Sequence, residues 1–243
     1  MFLKYFLSII IPAYQEEIRL QKTLPSLRNY LTNQDYSWEV IVVDDGSSDG
    51  TARIPHEIFS KTEPVKIIKN PKNRGKGFSV RQGVMEAQGE VILISDADFS
   101  TPIEEIEKLQ AFIRKGYDIT IGSRSLVDSN IEVRQAWYRE AMGRIFNIFV
   151  QMMVLRGFID TQCGFKCFDR EKTLPIFSQM MVDGFCFDVE FLFIAKKQGL
   201  KIIEVPVKWK HVPFSRVSLI SDPIQMLLDL MSICKNNKKG LYR

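Results

Sequence analysis

Apolar residues fall along this chain in short runs separated by stretches of helical spacing. Residues 8–13 form a run of strand length, and after a turn at 12–16 the residues Ile18, Leu20, Leu24, Leu27 and Leu31 recur at helical intervals. The cycle repeats. Runs at 38–43, 65–69 and 91–95 each precede a polar turn and then a helical segment, the last with Ile103, Ile106, Leu109, Phe112 and Ile113 on one face, and a further run occupies 118–122. Such alternation over residues 1–124 predicts an α/β fold with a mostly parallel, doubly wound sheet flanked by helices.

The polar clusters all follow the strands. They comprise Glu16, the run Asp44-Asp45-Gly46-Ser47-Ser48-Asp49-Gly50-Thr51, the stretch 70–77 with Arg74 and Lys76, the pair Asp96 and Asp98, and Ser123-Arg124. On a parallel sheet the carboxyl ends share one edge, so Glu16, Asp44, Arg74, Lys76, Asp96, Asp98 and Arg124 are expected to converge there. Asp96-Ala97-Asp98 can hold a hard divalent cation, Mg2+ or Mn2+, that bridges to a diphosphate. Taken alone, an Asp-x-Asp is more often a solvated turn. Thr101, Pro102 and Glu104 read as a capping-box helix start, and Asp49 as the cap of the helix after it. The chain has no Gly-x-x-x-x-Gly-Lys-Ser/Thr and no Gly-x-Gly-x-x-Gly after the first strand. Simple nucleotide hydrolysis and hydride transfer therefore lose ground.

The pattern changes at 134–158. Apolar residues from Trp137 to Leu155 cover most of a helix and leave Glu140, Arg144, Asn147 and Gln151 as a narrow polar stripe. Arg144 and Arg156 argue against a membrane span, so the helix either lies in a membrane interface or packs in a core or dimer face, which would make a homo-oligomer. Near the end, Asp222 caps, Pro223 opens, and Ile224, Leu227, Leu228 and Met231 form a second stripe ahead of Lys235, Lys238 and Lys239, a basic end that suits anionic lipid. The apolar N-terminus is interrupted by Lys4 and Ser8, meets Pro12 and lacks a small-residue cleavage site, so it reads as the first strand and not as a span or leader.

Composition narrows the field only slightly. The 243 residues, 45% hydrophobic and 26% charged, are ordinary for one large α/β domain or two small ones. The net charge of +4 is spread out apart from residues 235–239, which gives no footprint for nucleic acid. Cys163, Cys167, Cys186 and Cys234 read as reduced thiols in a cytosolic setting, and no second pair or nearby histidine completes a zinc site around Cys163 and Cys167.

The ordered motifs Pro12-Ala13-Tyr14-x-Glu16, 44–51, Asn73-Arg74-Gly75-Lys76-Gly77 and Asp96-Ala97-Asp98 resemble those of the inverting, GT-A-fold nucleotide-sugar transferases of glycosyltransferase family 2. Within that family, the stretches 96–102, 122–124, 160–166 and 184–190 resemble the polyprenol-phosphate sugar synthases, most of all the glucosyl branch that acts on dolichyl phosphate. The resemblance implies a single GT-A domain over 1–243, with a nucleotide-sugar half at 8–124, an acceptor half at 125–218, and an amphipathic helix with a basic tail at 219–243. It implies that Pro12, Ala13, Tyr14 and Glu16 line the base and ribose pocket, that Asp44 bonds uracil, and that Asp45, Gly75, Lys76 and Ala97 complete the donor side. Asp96 would contact ribose or a metal-bound water and Asp98 the Mg2+ or Mn2+ on the diphosphate.

Asp98, Arg124 and Asp188 are the implied catalytic residues, and Arg124, Arg139, Gln162, Ser215 and Arg216 the implied acceptor-phosphate contacts. Arg139 reads equally as a surface charge on an amphipathic helix. A hydroxyl acceptor would need Asp188 or Glu190 as base, whereas an ionised lipid phosphate needs positive charge instead. Two departures stand out: Ser100 occupies the place where mannose synthases carry a further glutamine ligand, and the spanning N-terminal helix of eukaryotic members is missing. The implied activity is metal-dependent transfer of glucose from UDP-glucose to a polyprenyl or dolichyl phosphate by a cytoplasmic protein peripheral to the membrane. The alternatives are another donor such as GDP-mannose, a soluble glycan or protein hydroxyl as acceptor, and a non-catalytic nucleotide-sugar-binding scaffold.

Overall fold

The structure, a computed structural model, describes residues 4–133, 135–212 and 221–242. In chain order the first half runs β1 (Tyr5–Ala13), α1 (Glu17–Thr32), β2 (Trp38–Asp44), α2 (Ile54–Ile58), β3 (Val65–Lys69), α3 (Lys76–Glu86), β4 (Gly89–Ser95), α4 (Ile106–Arg114) and β5 (Ile119–Ser123). The second half adds β6 (Asn130–Val133), α5 (Trp137–Met153), β7 (Phe165–Asp169), α6 (Arg170–Gln179), α7 (Phe187–Lys197), β8 (Ile202–Pro206), β9 (Lys208–Lys210) and α8 (Ser221–Lys238).

Seven strands form one sheet in the order β3-β2-β1-β4-β7-β5-β8, and β6 pairs with β9 in a separate two-stranded ribbon. All neighbours in the sheet are parallel except β7, which runs antiparallel to both β4 and β5. Because β7 is reversed, β4 and β5 still point the same way, and the carboxyl ends of β1, β2, β3, β4, β5 and β8 share one edge. One apolar layer, with Leu20, Leu24, Leu27, Ile106 and Leu109, covers one face of the sheet. The other face lies under Val80, Val84, Ile176, Phe191 and Ile194, with Val150 of α5 and Leu230 and Ile233 of α8 joining the same core.

Two local expectations are corrected. Pro102 precedes a short 3-10 turn at Ile103–Glu105, with no side-chain cap at its start. The expected capping box at Thr101 and Glu104 is thus not made, and the α-helical turns begin only at Ile106. Asp49 does not cap α2; its Oδ1 accepts from Thr51 N at 3.0 Å, and its Oδ2 accepts from Glu17 N at 3.4 Å, across at the start of α1.

Candidate active site

Parallel pairing sets the ends of β1 and β2 side by side, with Ala13 opposite Asp44. The turn after β1 is fastened to the loop after β2, since Ser47 Oγ accepts from Gln15 N at 2.9 Å and Thr51 Oγ1 accepts from Glu16 N at 2.8 Å. Tyr14 stands exposed beside half-buried Pro12, and Glu16 pairs with Arg19 at 2.7 Å. Asp44 is buried, and its Oδ1 accepts from Ser47 N at 2.9 Å. Its Oδ2 accepts no hydrogen bond among the described residues, with Lys69 Nζ 3.9 Å away. A buried carboxylate oxygen left so is an acceptor that a ligand's N–H or O–H can satisfy.

Asp45 has a different task. Its oxygens accept from Asn70 Nδ2 at 2.8 Å, Arg74 N at 3.0 Å and Gly75 N at 2.8 Å, so it shapes the loop that presents Lys76 and has little capacity left for a ligand. Lys76 in turn places Nζ 2.6 Å from Asp96 Oδ1. Its amine is partly buried, which would lower its pKa, but the charges of Asp96, Asp188 and Asp98 outweigh that and hold it protonated.

The acids themselves lie just past β4. Asp96 packs against Gly164, where any Cβ would collide with its carboxylate, and Ala97 O accepts from Thr23 Oγ1 at 3.0 Å. Asp98 Oδ1 accepts from Ser100 N at 2.9 Å across Phe99, whose φ of 44° lies in the left-handed region. Burial, followed by the charge of Asp96, pushes the Asp98 carboxyl up, with Ser100 and Arg19 pulling the other way. Negative charge in excess of its compensation is what a cation relieves. Among the described residues no group of three or more His, Cys, Asp or Glu side chains is placed to hold a metal. Two carboxylates are nevertheless enough for a hard cation that takes its other ligands from phosphate and water, so the residues fit such an ion if substrate completes the shell.

The acceptor-side candidates are dispersed. Arg124 binds Asp160 through Nε at 2.7 Å and Nη2 at 2.8 Å, and stacks 5.6 Å from the Trp209 ring centre. Burial would raise the Asp160 carboxyl, but Arg124 pulls it below the ordinary range. Arg124 is therefore already paired, and its charge toward any phosphate is largely offset. Gln162 is half-buried in the loop before β7, and Arg139 stands half-buried in the first turn of α5 with no acid paired to it among the described residues. Ser215 and Arg216 lie outside the described residues.

Asp188, one of the implied catalytic residues, is engaged within the protein. It is buried, with Oδ1 2.7 Å from Nζ of Lys166, a lysine that is 0% exposed and also donates to Cys163 O at 2.6 Å. Burial pushes the Asp188 carboxyl up in spite of Lys166 and Lys76. Lys166 and Asp160 carry no separate sequence signal beyond the motif they sit in. Their roles emerge only when the reversed β7 brings 160–166 beside the acids. All four cysteines are free, and burial pushes the thiols of Cys163 and Cys167 up to about 11 and about 12.

The family model for glycosyl transferase family 2 matches residues 8–174. A dolichyl-phosphate β-glucosyltransferase of Dictyostelium discoideum is 35% identical, covering 98% of this chain and 76% of its own length. The Saccharomyces cerevisiae protein of that name is 36% identical over 98% of this chain and 77% of its own, and the human one 33% over the same shares. Among solved structures, glucosyl-3-phosphoglycerate synthase from Mycobacterium tuberculosis, crystallised with Mn2+ and UDP-glucose, superposes with a TM-score of 0.68 at 17% identity, covering 96% of this chain and 80% of that one. Mannosyl-3-phosphoglycerate synthase from Rubrobacter xylanophilus gives 0.70 at 16% identity, covering 98% and 76%. These two show a shared GT-A architecture. By the span of the family match and the identity to near-full-length relatives, the chain belongs to glycosyl transferase family 2 and is similar throughout to its dolichyl-phosphate β-glucosyltransferases.

Proposed function

We propose that this glycosyltransferase moves glucose from UDP-glucose to dolichyl phosphate with inversion at the anomeric carbon. The observation that carries the reading is the charge arrangement at the sheet edge: Asp96 and Asp98 together, Lys76 2.6 Å from the first, and loops fastened by Ser47, Thr51 and Asp45 around them. The likeness to relatives named for this activity supports it.

In this reading Oδ2 of Asp44, which accepts no hydrogen bond among the described residues, accepts from uracil, and Pro12, Ala13, Tyr14 and Glu16 border the base and ribose. Lys76 faces the diphosphate, with Gly75 and Ala97 letting the backbone approach. A divalent ion held by Asp98, with Asp96 beside it, supplies charge neutralisation to the departing diphosphate when bound. An oxygen of the acceptor phosphate attacks the anomeric carbon from the face opposite UDP; the carbon–oxygen bond to UDP breaks and its electron pair leaves with the diphosphate. The phosphate monoester is largely ionised near neutral pH, so no proton has to be removed. Arg139, and Arg216 with Ser215, are the cations and hydroxyl proposed for that phosphate, and Gln162 borders it.

The membrane supplies the acceptor. Trp137 is 80% and Met152 71% exposed on α5, and Ile224 and Met231 are exposed on α8, which packs beside it with Cys234 Sγ 3.3 Å from Met153 O. We infer that this paired apolar face lies in the lipid interface, where large apolar side chains exposed on two adjacent helices leave water. Flotation with anionic vesicles checks this: Ile148→Glu with Met152→Glu lowers the bound fraction by about tenfold, each substitution placing a charge in the apolar layer. A dimer face would instead show as a change in elution volume with vesicle binding intact.

The deciding assay incubates purified chain with UDP-glucose, dolichyl phosphate and Mg2+ or Mn2+, and follows glucosylated lipid by mass spectrometry. Product from UDP-glucose, with none from GDP-mannose and none on soluble sugars or peptides, is the expected outcome. Transfer to hydroxyl acceptors, or UDP binding without turnover on any acceptor, would refute the proposal.

A further inference from the structure

Glu190 sits on α7 with both carboxylate oxygens engaged and the whole side chain buried. Its oxygens accept from Met181 N at 3.0 Å, Val182 N at 2.8 Å and the Tyr242 hydroxyl at 2.6 Å. Tyr242 is itself only 1% exposed although it follows α8 by four residues. Lys197 Nζ donates to its carbonyl at 2.8 Å, Asn236 Nδ2 donates to its hydroxyl at 3.3 Å, and the Phe193 ring meets its edge at 6.0 Å between centres. A tail with no part in the sheet is thus plugged into the core behind α7, fastened at its carbonyl and at its hydroxyl.

The segment that Glu190 holds has a second side. Asp183 O accepts from Phe78 N at 3.1 Å, Met180 O accepts from Arg81 Nη1 at 3.1 Å, and Asp183 Oδ1 accepts from Arg81 Nη2 at 2.6 Å. Gly75, at a φ of 107°, has no room for a Cβ against Asp183 O, and a Cβ on Gly77 would lie 2.6 Å from Val182 O. The first turn of α3, which carries Lys76, therefore rests on residues 180–184, and those residues rest on Glu190 and Tyr242.

We propose that Tyr242 and Glu190 are positioning residues for the donor: the C-terminal hook braces 180–184, which sets the height of the Gly75–Phe78 turn and so the reach of Lys76 toward the diphosphate. This rests on the reading of that edge as a UDP-sugar site. Backbone amides bound to a buried carboxylate fix a segment more firmly than ordinary loop contacts, because the bonds are charge-assisted. Loss of the tyrosine hydroxyl leaves Glu190 short of one donor and free to shift toward solvent or Asn236, and the amides of Met181 and Val182 shift with it.

The test compares the full chain with Tyr242→Phe, which removes one oxygen and keeps the ring, and with Leu241→Ala, an exposed neighbour in the same tail. UDP binding is measured by calorimetry, KM and kcat with UDP-glucose by steady-state kinetics, and amide exchange by mass spectrometry. Tyr242→Phe is expected to raise the UDP Kd and the donor KM by about fivefold, the scale of one weakened charged hydrogen bond passed on in part. Its kcat at saturating donor stays near wild type, and exchange quickens both at Met181 and Val182 and in the first turn of α3. Lys197→Met, which frees the tail carbonyl, gives a smaller shift in the same direction, and Leu241→Ala gives none. A lowered melting temperature with unchanged Kd and KM, or faster exchange confined to 181–190 and the tail, would overturn the proposal by showing a purely structural plug. If wild type bound no UDP, the donor assignment would fall and this proposal with it; equal UDP binding by wild type and Tyr242→Phe would sink this proposal alone.

Discussion

Asp98→Asn lowers kcat for glucosyl transfer by on the order of 10³-fold, the scale seen when one group facing developing transition-state charge is removed. The substitution is chosen to leave the fold alone. Among the described residues Asp98 accepts from Ser100, and the carbonyl oxygen of asparagine accepts the bond from Ser100 N equally well. Removing the charge also relieves the repulsion from Asp96 and the cost of burying a second carboxylate, so the melting temperature is expected to hold or rise slightly. On the proposed reading, what disappears is the second negative charge beside the diphosphate, and with it the hold on Mg2+ or Mn2+. UDP titrated without metal should bind the variant about as well as wild type, whereas the gain in affinity on adding Mn2+ should vanish. Near-normal turnover, or a Mn2+ effect on UDP binding that survives, would remove Asp98 from the metal role. Asp96→Asn offers a contrast, because it replaces the charged partner that holds Lys76 at 2.6 Å by a neutral acceptor, which loosens the lysine and should therefore weaken UDP binding even in the absence of metal.

The residues that make this prediction possible were legible before any coordinates, and the reason is local. The runs at 8–13, 38–43, 65–69, 91–95 and 118–122 are apolar because they lie in the interior of a covered sheet, and they appear as β1 to β5, with β1 reaching back to Tyr5 and β5 extending to Ser123. Their polar ends follow from the parallel arrangement, which brings Lys76 to Asp96 and sets Asp44 at the end of β2 beside Ala13. β7 leaves no such run in the sequence for an equally physical reason. Its five residues include Lys166, which breaks the apolar run, and only the partner Asp188 on a distant helix makes a fully buried lysine tolerable there. The reversed strand then supplied what the motif positions alone did not: Asp160 against Arg124, and Gly164 under Asp96. Contacts of this kind, like Tyr242 on Glu190 across 52 positions, leave no periodic trace.

Lys166→Met is expected to destabilise the protein by about 3–5 kcal/mol, because it leaves the Asp188 carboxylate buried without its counter-ion. For a domain of this size that is a fall in melting temperature on the order of 10 °C. Lys166 is 0% exposed and Asp188 4% at the side chain, so neither group can turn to water when the other is lost. Neutralising both, as Lys166→Met with Asp188→Asn, removes the stranded charge and should restore more than half of the lost stability, a coupling that a double-mutant cycle reads directly. If instead the two losses added, the pair would not act as a unit.

The same double variant also separates the two chemistries open to this site. Were Asp188 the base for a hydroxyl acceptor, its removal would cost the roughly 10²–10⁴-fold that general-base catalysis supplies, however stable the protein. With an ionised lipid phosphate as acceptor there is no proton to take. Asp188 then matters only as one of the negative charges that keep Lys76 protonated, beside the nearer Asp96. The loss expected in the restabilised double variant is therefore within about tenfold, the reach of a charge acting through its neighbours. A kcat lower by more than 10²-fold, in protein that melts near wild type, would return Asp188 to the reaction and point to a hydroxyl acceptor.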